Sequence, residues 1–511
     1  MTGIIQIENP DFIEIIAELM HEEFNADLQL SKSALETRLL PIISSLRKEI
    51  AVFVETDYVD KVYRDSYYYY FASKADCISR NCIRLSLLDN SNGEYSKRKD
   101  VSYDLHDNVT SDYLGFIVIR PTVPAVIGRS AISPRALQTH DFKCCLAPIS
   151  STVNGFKVEV GAFPFSSQDA ETITCAETAL WALMEYYGNK YVEYAPVKPS
   201  EILKNLEGNI ACRQLPSNGL TVENVTFALK KFGFGPQWYA YSSFGEESPK
   251  ILSCYVESGI PVVVALSNAG AEDPITHLPV EPRINHAVLC VGHEALSQEE
   301  IDIALNSKMK VLTATYGEVN VLDYDDISKR FVFIDDNCPP YQKDLLATPA
   351  NRYREQYWKA CRVSNFVAPL YKRIYMEPFV AKEYATKILK NRIYFHLKGE
   401  KVVTRTYLCS TRSFRHFVNT SGMTSEMKDV ISGVFMPKFV WITEVSKVGS
   451  FKRGLVDNLI VIDATSCETS NYNPWLVAFV DQACYRRNPL TKVLDRCDVS
   501  TSQFASYSNL K

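Results

Sequence analysis

The sequence predicts a mixed α+β fold built from several domains, and three observations carry that expectation. Helical and strand-like periodicities follow one another without a regular βαβ series, the apolar runs are short, and 511 residues is several times a typical domain. With 46% hydrophobic and 23% charged residues, disordered, collagen-like and coiled-coil classes are excluded. There are 55 Lys and Arg against 60 Asp and Glu, a net charge of -5. The chain as a whole is therefore no polyanion binder, and nucleic acid is not an expected partner.

Residues 1–150 are expected to form an α/β domain. Leu19, Met20, Phe24, Leu28 and Leu30, then Leu35, Leu39, Leu40, Ile43 and Leu46, repeat at helical spacing over 11–48. The β-branched run IAVFVE follows as a strand. The tyrosine-dense YRDSYYYYF (63–71) reads as a helix with two faces packed in a core, with a stacking platform for bases as the other reading. YLGFIVIRPTVPAVIG (113–128) reads as a strand stopped by Pro121 and Pro124.

Residues 151–370 are expected to be a second domain. A strong helix follows Thr174, another spans about 221–232, and GIPVVVAL (259–266), HAVLCVG (286–292) and FVFID (331–335) are short buried strands. Residues 371–511 make the third, an α+β domain that opens with a basic helix (382–391). IYFHL, FVWITEVS and NLIVIDAT are its predicted strands. Residues 371–420 hold 11 Lys or Arg against three acids, a stretch read mainly as a solvated face. Glu444 and Asp463 sit at the ends of predicted strands and are assigned no chemistry.

No apolar run approaches the roughly 18 residues that span a bilayer. The first twenty residues carry four acids and no basic start, unlike a secretory signal, so a cytoplasmic protein without membrane contact is expected. In that compartment most of the 14 cysteines should be small buried hydrophobes. Neither Cys77/Cys82 nor Cys144–Cys145 has the spacing of a zinc site, and no glycine-rich phosphate loop is present, so no metal or cofactor is expected.

The chemistry concentrates in QDAETITCAETALWALMEYYG (168–188). Thr174 and Glu177 form a capping box, Ala179, Leu180, Leu183, Met184 and Tyr187 recur at helical spacing, and Gly188 is expected as the C-cap. Cys175 thus opens a helix, where the dipole and unpaired amides favour a thiolate. His286 begins a predicted strand and Asp335 ends the next, giving a nucleophile, a base and a carboxylate in order. Asp336 and Asn337 are alternative orienters of the histidine. His277 and His293 are competing bases.

Gln168, TCAETALWALMEYYG, INHAVLCVGHE and FVFIDDNCPPY together resemble the papain-like cysteine peptidases in their bacterial C39-like version, over about 160–345. The resemblance implies a papain-like central domain flanked by N-terminal and C-terminal α/β domains. It also implies Cys175 as nucleophile, His286 as general base, Asp335 as orienter and Gln168 as an oxyanion donor beside the Cys175 N–H. The expected activity is cleavage of an amide or peptide bond in a protein or peptide through an acyl-enzyme. The flanking domains would select substrate or take a regulatory partner, as in a bacterial toxin or defence effector. The alternative is a non-catalytic scaffold on a degenerate protease fold, holding nucleic acid or a protein through 371–420.

Overall fold

The structure, a computed structural model, describes residues 2–76, 78–96, 106–169, 171–211, 213–273, 275–467, 473–488, 491 and 493–511. Cys77 lies outside them. With 33% helix and 32% strand the chain is of the mixed α and β class. It forms two compact units, Met1–Phe234 with Val263–Gly292 and Phe331–Val367, and Gly235–Val262 with His293–Arg330 and Ala368–Lys511. Residues 1–150 fall wholly in the first unit and 371–511 wholly in the second, whereas the segment 151–370 is divided between the two.

In the first unit, residues 11–48 form helices Phe12–Phe24, Leu28–Arg38 and Leu40–Ser45. A seven-stranded antiparallel sheet follows the order Thr2–Gln6, Ile50–Tyr58, Cys82–Asp89, Tyr113–Ile119, Ser130–Ile132, Phe156–Phe165, Ala147–Val153. Phe53, Leu88, Phe116 and Val118 lie in its core. The tyrosine-dense stretch is the helix Lys61–Tyr69, started by Asp60, whose carboxylate accepts the Val62 and Tyr63 amides at 3.0 and 2.9 Å.

A second sheet carries the candidate site, with Gln342–Leu345, Arg330–Ile334, Asn285–Glu294, Val262–Ser267 and Arg362–Tyr371 as successive strands. The helix Cys175–Lys190 is buried along one continuous stretch from Ala176 to Tyr187. It does not stop at Gly188, contrary to expectation, but runs two residues further. Gly188 is there for closeness: a Cβ on it would meet the Pro196 backbone nitrogen at 2.3 Å.

The second unit holds an eight-stranded sheet ordered Lys310–Ala314, Gly317–Asp323, Lys401–Ser410, Phe439–Lys447, Asn458–Asp463, Trp475–Val480, Ala483–Arg487, Leu494–Asp498. The second and third of these strands pair in parallel, so two strands of the 293–329 segment join the sheet of the C-terminal region. The basic helix spans Pro378–Leu389. IYFHL is not a strand. It falls within a 3₁₀ stretch, Arg392–Leu397, which Asn391 starts by accepting the Ile393 amide. Tyr394 and Leu397 are buried three residues apart while Phe395 is exposed, the spacing of a tight helix rather than a strand. Among the described residues no helix is long and apolar enough to cross a membrane.

Candidate active site

Cys175 is the first residue of its helix. Glu177 reaches back to accept the Thr174 amide at 3.3 Å and the Thr174 hydroxyl at 2.5 Å, which holds the helix start in place. The preceding loop is tied by Asp169, whose carboxylate accepts the Glu171, Thr172 and Ile173 amides at 2.6–3.0 Å. Cys175 is half-buried, with its sulfur at the mouth of a packed helix.

His286 is the second residue of the Asn285–Glu294 strand, and Asp335 directly follows the Arg330–Ile334 strand. The His286 Nε2–H donates to Asp335 Oδ1 at 2.9 Å. The Cys175 thiol lies beside the same ring and helps to raise its pKa, and the two residues line one cavity. Cys175, His286 and Asp335 therefore converge, all within the first unit. Burial pushes the imidazole towards its neutral form, but the Asp335 charge and hydrogen bond, the thiol and Asp336 outweigh it. The result is a ring held well above the ordinary histidine range.

Asp335 is saturated. Its Oδ1 also accepts the Asn337 amide at 3.0 Å, while Oδ2 accepts from Tyr353 Oη at 2.8 Å and from both Nε and Nη2 of Arg352. Burial works against its charge, but the Arg352 guanidinium and His286 hold the carboxyl well below the usual carboxylate range. Arg352 is in turn fixed by Asp344 at 2.6 Å and by the Pro349 carbonyl at 2.5 Å. Trp358 stands edge-on to the His286 ring at 5.2 Å, and Tyr353 stacks on Trp358 at 4.1 Å. Arg352, Tyr353 and Trp358 were not legible as site residues in the sequence. The basic and aromatic cluster NRYREQYW (351–358) was visible, but nothing local says which of its side chains turns inward.

Asp336 and Asn337 hold other positions. Asp336 Oδ1 lies 3.5 Å from His286 Nε2, yet neither of its oxygens has a hydrogen-bond partner. Burial, with the Asp335 charge beside it, pushes this carboxyl up to about 7 against the pull of His286. The bonds of Asn337 are made by its backbone: its amide to Asp335, and its carbonyl from Arg38 Nη1 at 3.2 Å. Gln168 is half-buried and lines neither cavity at Cys175. Its backbone carbonyl accepts from Arg120 at 3.4 Å. The helix-start amides of Cys175 and its neighbours remain as the donors an oxyanion would meet.

Two cavities adjoin the sulfur. One of about 360 Å³ is lined by Cys175 and His286 together with Leu220, Val222, Val263 and Phe366, and no carboxylate, lysine or arginine faces it. The other, about 10 Å³, is closed by Ser166, Thr178 and Asp336. Cys338 lies close to the cluster, but burial and Asp335 push its thiol up to about 12, so it is not a second nucleophile. His286, Asp335 and Asp336 offer ligand atoms within 4.8 Å of one another, the one such group among the described residues. Nε2 and Oδ1 are already bonded to each other and Arg352 occupies Oδ2, so a cation would have to break the pair that orients the ring.

The rival histidines are elsewhere. His277 lies in an exposed loop, and His293 is bonded to Glu257 at 2.7 Å and to the Glu294 carbonyl at 2.6 Å within the second unit. Glu444 is mid-strand and buried, accepting from Arg405 and Tyr407, which is a packing role. In the basic segment Lys382 is paired with Asp323 and Asp325, and Arg405 with Glu257 and Glu444. Compared with known proteins, the chain matches no protein-family model and no curated sequence.

Proposed function

We propose that this chain is a cysteine hydrolase that cleaves an amide or peptide bond through a thioester intermediate, on a papain-like central domain. The observation that carries the reading is the His286 ring, set beside the Cys175 thiol in one cavity lining and bonded to the Arg352-held Asp335. A ring held above its ordinary range takes the thiol proton readily, which frees the sulfur at the helix start to act as the nucleophile. The thiolate attacks the carbonyl, the oxyanion meets the amides of the helix start, and the imidazolium protonates the leaving amine. His286 then takes a proton from the water that hydrolyses the thioester. The largely apolar 360 Å³ cavity, with no lysine, arginine or carboxylate in its lining, suits an apolar substrate group beside the scissile bond.

Alkylation with iodoacetamide followed by peptide mapping tests the reading. Cys175 should be modified much faster than the exposed Cys467, and a His286→Ala variant should lose that advantage. Equal rates at the two cysteines would refute it.

A further inference from the structure

We propose that the outer face of the Lys61–Tyr69 helix and the start of the Pro199–Leu206 helix form a groove that binds a nucleoside phosphate, free or within a single strand. The tyrosine-dense segment has two unlike faces. Val62, Tyr63 and Ser66 are buried, whereas Lys61, Arg64, Asp65 and Tyr68 follow the i, i+3, i+4, i+7 spacing of the opposite side. Tyr68 is 62% exposed and Tyr69 38%. Between this face and Lys198, Ser200 and Lys204 lies a groove of about 460 Å³.

The charge in the groove is unbalanced. Asp65, the only acid lining it, bonds the Ser200 amide and hydroxyl, both at 2.9 Å, rather than a cation, and its single charge is outnumbered by the basic side chains. Lys61 is bridged to Glu185 at 3.1 Å. Arg64, Lys198 and Lys204 have no carboxylate partner among the described residues. Arg64 is instead oriented by the Arg80 carbonyl at 3.1 Å and Asn81 Oδ1 at 2.8 Å, and the Lys204 ammonium sits 5.6 Å from the Tyr69 ring centroid. Three cations without an ion-pair partner among the described residues, beside two exposed phenol rings and a single carboxylate in a chain of net charge -5, match a phosphate next to an aromatic base. An acidic peptide would use the cations and leave the rings idle. The groove contains none of Cys175, His286 or Asp335, so it stands apart from the hydrolase reading.

Fluorescence anisotropy of the full chain with a labelled 15-mer of deoxythymidylate tests this, with ADP as competitor. Three phosphate contacts on a single strand predict about 20-fold weaker binding at 200 mM than at 50 mM salt. Tyr68→Ala should weaken binding roughly tenfold, Tyr68→Phe should not, and Lys198→Glu with Lys204→Glu should abolish it. Cys175 alkylation and circular dichroism should be unchanged in all of them. Displacement by ADP assigns the site to a free nucleotide, and failure of ADP to displace assigns it to a strand. Absence of binding at 50 mM salt overturns the proposal. So does an unaltered affinity in Tyr68→Ala, or displacement by polyglutamate as effective as by unlabelled strand, which would mean an acidic protein partner.

Discussion

Asp336→Asn should make the protein more stable at alkaline pH than the wild type, although it removes a group next to the candidate nucleophile. The Asp336 side chain is 3% exposed, both its oxygens lack hydrogen bonds, and its nearest cation is His286 Nε2 at 3.5 Å. Its carboxyl is therefore pushed from an ordinary 3.8 up to about 7, chiefly by burial. A carboxyl raised in the folded state favours folding fully below its unfolded value. That advantage is lost as pH rises from about 4 through 7. At 1.36 kcal/mol per pH unit the loss amounts to about 4 kcal/mol by pH 8. Asparagine fills the same space with no charge to desolvate. Urea denaturation of both proteins at pH 4 and pH 8 measures the difference. The stability of the variant relative to wild type should rise by about 4 kcal/mol between the two conditions. A difference that stays constant across that interval would show that Asp336 ionises as freely when folded as when unfolded, with no desolvation cost from its burial.

Arg352→Met should cost about 3–5 kcal/mol in urea denaturation, because it strands the buried Asp335 charge. Adding Asp335→Asn should recover part of that loss, as a double-mutant cycle would read. Cys175→Ala should fold with a loss of no more than about 1–2 kcal/mol, since alanine suits a helix start, yet abolish turnover in any peptide or amide assay in which the wild type is active. Gly188→Ala should destabilise by about 1–3 kcal/mol in thermal or urea unfolding. Helix propensity alone would predict a gain near 1 kcal/mol, but the new methyl would meet the Pro196 backbone at 2.3 Å.

Local chemistry made much of the candidate site legible. The Thr174–Glu177 box and the apolar period after it place Cys175 at a helix start from adjacent residues alone, and the apolar runs of 286–292 and 331–335 read as strands for the same reason. Capping and side-chain period are properties of a few neighbouring residues, so sequence by itself determined them. The choice among Asp335, Asp336 and Asn337 was not local. Successive residues at a strand end point in different directions, and the one that meets the ring is set by Arg352, seventeen residues on, and by the packing of Tyr353 and Trp358. Gly188 read as a helix stop because glycine commonly ends helices, but the approach of Pro196 gives it an interior role that no local pattern encodes. The positive stretch 371–420 likewise looked unbalanced until folding brought Asp323, Asp325 and Glu257 to Lys382 and Arg405. Charge balance, close approach and the partner of a buried histidine depend on distances between segments far apart in the chain, and only the tertiary structure decided those distances.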